Sequence, residues 1–478
     1  PSATDRGDQC RVRPTAADQC RVRSTAADRI PPPAPLRGTV MWPDRKGRGM
    51  PTHVAVVGAY GSAGVAAAER LADAPDVELT LIDDGDPGGG LCILRGCMPS
   101  KEVLSAAEHR FAARHDDRLS GPLPDVDLEA VVARKNEHTS NFAAHRRAAV
   151  EELAERDGVA FHRDAARFVG DRRLAVGDRT IDPDYVVIAT GSTVDLPSLP
   201  GIDDVEVTTS ADVLDATAFG DSGVVMGFGY VGMELVPYLS EAAGMDLTVI
   251  EHDARPLDEA DAPFGDALLD YYRDAFDVDV LTHARERRVE PTDSGGVRLH
   301  VSHDGVETAV EADQLFAFTG RRPTLDRLGL EKTALDPGPG WVEATMQTRD
   351  DERVFVAGDA NGELPLQHEA RDEGQIAGYN AARQTGQGFR RRAPLAIVFS
   401  DPNIVTIGEP WQTLKDADIL VGTCRFERDQ RSRIKHADTG VARIYADRRD
   451  GRLRGASMAA PDGEHLGTVT SGTVSPNP

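Results

Sequence analysis

The chain has 478 residues, 40% of them hydrophobic, enough for about three domains with real cores, and no apolar run approaches the ~18 residues of a membrane span. Its formal charge of −25 disfavours nucleic acid and acidic membranes as partners, because such a surface repels phosphate. Five cysteines exclude a secreted disulfide framework, and no apolar segment of a secretory signal stands at the start, so the expected location is the cytoplasm.

Residues 1–50 show no period. "DQCRVRPTAAD" (8–18) recurs as "DQCRVRSTAAD" (18–28), and "IPPPAPLRG" follows. This composition predicts a disordered or non-native tail, with translation starting at Met50.

The first structured element is a β-α-β unit, "THVAVVGAYGSAGVAAAERLADAPDVELTLIDD" (52–84). An apolar strand leads into a glycine turn (Gly58, Gly61, Gly64), an alanine-rich helix follows, and Asp83 ends the second strand. Glycines admit a pyrophosphate, a helix N-terminus favours its charge, and the acid accepts from ribose hydroxyls. The G-x-x-G-x-x-G spacing is one residue longer than the usual G-x-G-x-x-G, which sets a question about the turn.

"GGGLCILRGCMPSK" (88–101) places Cys92 and Cys97 together at the mouth of a predicted helix, with Pro99 in its first turn. The helix dipole and Lys101 would both favour a thiolate at Cys97, which suits dithiol–disulfide exchange. A structural zinc site or a pair of core cysteines are the competing readings; zinc would want four ligands, and no second cysteine pair exists.

"GVVMGFGYVGMELVPYLSEAAGMDLTVIEHD" (223–253) repeats the nucleotide pattern with Gly227, Gly229 and Gly232 after a strand and Glu251 ending the next. An acid there accepts from a ribose 2′-hydroxyl and repels a 2′-phosphate, so NADH is expected over NADPH, although Arg255 in the following loop could meet a phosphate. Near the other end, "GASMAAPDGEHLG" (455–467) reads as a strand entering a helix, after which "TVTSGTVSPNP" has no helical period.

The cysteine stretch strongly resembles the redox-active segment of the FAD-dependent pyridine nucleotide-disulfide oxidoreductases, which include dihydrolipoamide dehydrogenase, glutathione and mycothione reductases and mercuric reductase. Further marks follow in family order: "YVVIATGS" with Gly191, "FAFTGRRPT" with Gly320, "VFVAGDA" with Gly358 and Asp359, "PLQHEARDEGQIAGYNAA" and "PLAIVFSDPNIVTIGEP". The acid excess with only six lysines also resembles proteins of salt-loving archaea.

The resemblance implies an α/β fold with two Rossmann-like domains. Residues 51–198 and 319–392 would bind FAD, 199–318 would bind NAD, and 393–478 would form an α+β homodimerisation domain. It implies that NADH reduces FAD, which reduces the Cys92–Cys97 disulfide. Cys97 would be the thiolate nearest the flavin and Cys92 the interchange thiol. Lys101 would lie beside the flavin with Glu234 as its ion-pair partner, and Tyr230 would gate the nicotinamide pocket. An exposed helix acid and a packing aromatic are the plain alternatives for the last two. The substrate would be a lipoyl or small-molecule disulfide, with a dihydrolipoamide dehydrogenase-like activity first, bis-γ-glutamylcystine an alternative and mercuric ion lower.

The family's C-terminal His-Glu acid–base pair finds no match after Leu466, and His465 stands too early. The expectation is therefore a truncated interface domain. Such a chain would bind FAD but turn over disulfides poorly, as a diaphorase or an inactive remnant.

Overall fold

The computed structural model describes residues 50–460 except Pro87, Asp258, Asp429, 431–432 and 434–438, and beyond them Thr468–Thr470 and Thr473–Ser475. The tail at 1–49 and the stretch holding His465 lie outside the described residues.

Strand Thr52–Val57 forms the middle of a parallel sheet, between Val77–Ile82 and Tyr185–Ile188, with Val159–His162 and Val354–Val356 at the edges. Its residues sort by alternation into two cores. Val54 and Val56 face the helices Ser62–Ala72 and Gln367–Arg383, while Ala55 and Val57 face Phe168, Leu174 and Trp341. Both faces are covered, so the strand reads as an unbroken apolar run.

A second parallel sheet repeats the plan in the order Asp279–Leu281, Asp246–Ile250, Ser222–Met226, Gln314–Ala317, Val207–Thr209. Its helices are Tyr230–Pro237, which runs into a π-turn at Tyr238–Ala242, and Ala262–Phe276. The opposite face carries an antiparallel ribbon, Ala284–Pro291, Val297–His303 and Val306–Ala312. The third sheet is antiparallel, in the order Leu395–Val398, Asn403–Gly408, Leu453–Ala460, Val441–Asp447, Ile419–Arg425. The α/β class with two nucleotide-type sheets is thus as expected.

Two features hold the first unit together. Helices Ser62–Ala72 and Gln367–Arg383 cross at very close range: Gly374 and Gly378 lie where a Cβ would come within 2.2 Å of Ala63 O and 2.8 Å of Ala67 O. Strands Ser192–Val194 and Arg321–Pro323 pair antiparallel, so the chain leaves toward the second sheet and returns side by side.

Candidate active site

The two glycine turns share one design. Gly58 (φ +94°) and Gly227 (φ +92°) take a left-handed conformation, and a Cβ would lie 2.3 Å from Ala189 O and 2.7 Å from Phe318 O respectively. Gly61 and Gly229 are the N-caps, and Gly64 and Gly232 stand three residues on, each too close to the first glycine's carbonyl for a side chain. The extra residue of the first turn is absorbed between Gly58 and Gly61. Tyr60, 2% exposed, fills that bend.

The strand-end acids anchor these turns. Asp83 accepts from the amides of Tyr60 (2.8 Å) and Gly85 (2.9 Å); Glu251 accepts from Phe228 (3.0 Å) and Asp253 (2.8 Å). Burial pushes both carboxyls up, against those amide bonds. No side chain caps either helix and neither has an acid in its first turn. Space around Gly229 is open to 4 Å. Both turns therefore fit a pyrophosphate. Arg255 donates to Asp266 at 2.7 Å.

The cysteine loop lies against the first turn: a Cβ on Gly90 would meet Gly61 Cα at 3.0 Å. Cys92 sits in the helical turn Leu91–Leu94, and Cys97 is the first residue of helix Cys97–His115. The Cys92 thiol donates to the Cys97 sulfur. The Cys92 hydrogen bond, with Lys101 assisting against burial, lowers Cys97 to about 7. Its partner Cys92 is pushed up by the same bond and by burial. Among the described residues no group of three or more His, Cys, Asp or Glu could hold a metal ion.

Glu234 is not an exposed helix acid. It accepts from the Phe399 amide at 3.0 Å, and burial raises it while that bond and Lys101 oppose. The Lys101 ammonium itself lies 3.6 Å from the centroid of the Phe399 ring. Tyr230, 47% exposed, starts its helix and donates to Glu259 at 3.3 Å; burial, then Glu259, pushes it up to about 12.

Three distant motifs converge at the paired strands. Ser192 Oγ, beside Gly191, donates to Asp359 at 2.6 Å, and Arg321, beside Gly320, donates to Ser192 Oγ (2.9 Å) and O (2.7 Å). Gly191 and Gly320 have positive φ and open space around them. The amide of Gly358 donates to the buried Glu373 at 2.8 Å, as does Asn361 Nδ2 at 2.9 Å. Burial raises Glu373 to about 7. Ser192, Arg321, Glu373 and Phe399 were not singled out from the sequence. Three of them are visibly polar and Phe399 is not, and the partners of Ser192, Arg321 and Phe399 lie far along the chain.

Residues 52–374 match the model of the pyridine nucleotide-disulphide oxidoreductases, and 395–472 match that family's dimerisation domain. Dihydrolipoyl dehydrogenase of Halobacterium salinarum is 31% identical over 87% of this chain and 88% of its own length. Mercuric reductase of Bacillus cereus is 28% identical over 87% of this chain and 65% of its own length. The fold is shared with LpdA of Mycobacterium tuberculosis at TM-score 0.73 and 24% identity, covering 87% of this chain and 91% of that one.

Proposed function

Because the chain belongs to the pyridine nucleotide-disulphide oxidoreductases, a flavin-dependent family working with FAD and NAD(P)H, we propose that it passes electrons from NADH through FAD to Cys92–Cys97 and on to a lipoyl-type disulfide substrate, in the manner of a dihydrolipoamide dehydrogenase. The balance is NADH, a proton and one disulfide giving NAD⁺ and two thiols. The observation that carries this reading is Cys97, a helix-start thiol lowered to about 7, hydrogen-bonded to Cys92 with Lys101 one turn further on.

Bound FAD supplies the two-electron relay between nicotinamide and disulfide. Gly58, Gly61 and Gly64 would leave room for its pyrophosphate, Asp83 would accept from its ribose, and Gly191, Gly320, Gly358 and Asp359 would hold the rest of it. Gly227, Gly229, Gly232 and Glu251 would hold the nicotinamide dinucleotide, with Tyr230 as the gate to its pocket. Glu251 disfavours a 2′-phosphate, and Arg255, tied to Asp266, supports NADH. In exchange, Cys92 as its thiolate would attack the substrate disulfide, forming a mixed disulfide and releasing the first thiol; Cys97 would then close on Cys92 and release the second thiol.

The substrate class is supported by the dihydrolipoyl dehydrogenase relatives, the one above and another from Haloferax volcanii. A second copy of the chain is the expected partner through the antiparallel sheet, which exposes Ile397, Ile444 and Leu453. Among the described residues no helix is long and apolar enough to cross a membrane.

The test is an anaerobic NADH titration of the purified flavoprotein. A long-wavelength absorbance at two-electron reduction that Cys97→Ser abolishes supports the dithiol path. Plain flavin bleaching in both proteins sinks it.

A further inference from the structure

Helix Cys97–His115 starts at the cysteine pair, and helix Tyr230–Pro237 starts at the second glycine turn. The two are fastened to each other at their far ends. Past Pro237 the second helix widens into the π-turn Tyr238–Ala242, and the Glu241 side chain in that turn is 2% exposed. Arg110 Nη1 donates to Glu241 Oε1 at 2.5 Å and to its main-chain oxygen at 3.1 Å. Arg114, one turn on, pairs with Glu241 Oε2 at 2.7 Å and donates to Ala275 O at 2.7 Å, near the end of helix Ala262–Phe276. Between the two arginines, Phe111 packs on Phe276 with ring centroids 4.8 Å apart.

We propose that Glu241, clamped by Arg110 and Arg114, is a positioning residue that sets the angle at which the second unit presents its dinucleotide to the first. Apolar contact such as Phe111–Phe276 is non-directional. A buried carboxylate held through both oxygens by two guanidinium groups allows little rotation. Apolar residues of the same volume would hold the units together as firmly, so what the ions add is a fixed angle. At 1.5 Å per residue, each helix start lies about 16–20 Å from the clamp. A tilt of about 5° there moves a helix start by about 1.5 Å, and a misplacement of about 1 Å can slow a reaction about 100-fold. The inference rests on the proposed path from NADH to the flavin.

The experiment is anaerobic stopped-flow reduction of the full-length flavoprotein by NADH, which separates the limiting rate from the NADH dissociation constant. Glu241→Gln keeps the volume and an acceptor but removes the charge. Its limiting rate should fall about tenfold or more, with the dissociation constant within about twofold of wild type. Flavin reduction by dithiothreitol, entering through Cys92–Cys97 in the first unit, should stay within about twofold. Phe111→Leu weakens the same contact without touching the ions, so it should lower the melting temperature and leave the limiting rate unchanged. Arg110→Lys keeps the charge but loses the fork, and should show the same split at about threefold. It decides alone if Glu241→Gln loses its flavin. An unchanged limiting rate overturns the inference, as does a fall that dithiothreitol reduction or Phe111→Leu shares. A rise in the dissociation constant alone overturns it too. Wild-type flavin that NADH does not reduce overturns the NADH path, and the inference with it.

Discussion

Gly374 meets the carbonyl oxygen of Ala63 so closely that a Cβ on the glycine would lie 2.2 Å from it. Backbone sits on backbone there, so nothing flexible can give way. Gly374→Ala should cost about 1–3 kcal/mol in urea unfolding. Gly338→Ala, where nothing lies within 4 Å, should stay within about 0.5 kcal/mol. Equal losses in both would discredit the close crossing.

The second glycine turn separates binding from folding. Gly229 has an ordinary φ of −77° and open space, so Gly229→Ala should leave the melting temperature unchanged. The methyl would project into the space assigned to the pyrophosphate, and KM for NADH should rise about tenfold or more. Gly232→Ala, 2.5 Å from Gly227 O, should instead lower the melting temperature. Steady-state kinetics with calorimetry on both variants decides.

Glu373 gives the fold a pH signature. Its native value of about 7 lies above the ordinary 4.5, so between those values the native state holds a proton that the unfolded chain has released. Stability from this group therefore falls as pH rises through that window. Glu373→Gln keeps an acceptor for the Gly358 amide and should flatten that decline, by of order 2 kcal/mol. Urea midpoints at pH 5 and pH 7.5 measure it, and an unchanged slope contradicts the assignment.

Arg321 and Ser192 should matter for flavin retention. Arg321→Leu removes two charge-assisted bonds to Ser192, which itself holds Asp359. Flavin affinity, read from fluorescence on release, should fall about 10- to 100-fold. Affinity within twofold of wild type would remove this cluster from the flavin site.

What could be read from sequence was local. Glycine spacing, strand-end acids and a cysteine pair before Pro99 are short-range patterns; the first and last name helix starts and the acids name strand ends. The extra residue of the first turn was visible, but not that Tyr60 would be buried within the bend. Glu234 looked like either an exposed acid or an ion-pair partner. Its Phe399 amide bond spans 165 positions, beyond any local pattern. Ser192, Arg321 and Asp359 became neighbours only when two strands paired. Nothing in the strand pattern of either unit announced which distant polar groups would meet.

Val194 stands directly opposite Arg321 where those strands pair. The second unit is thus a guest grafted into its host through a single covalent doorway. The host closes that loop once, and the closing entropy grows only about 0.6 kcal/mol for each doubling of the guest's length. Length added at the guest's outer turns therefore costs the host little closing entropy.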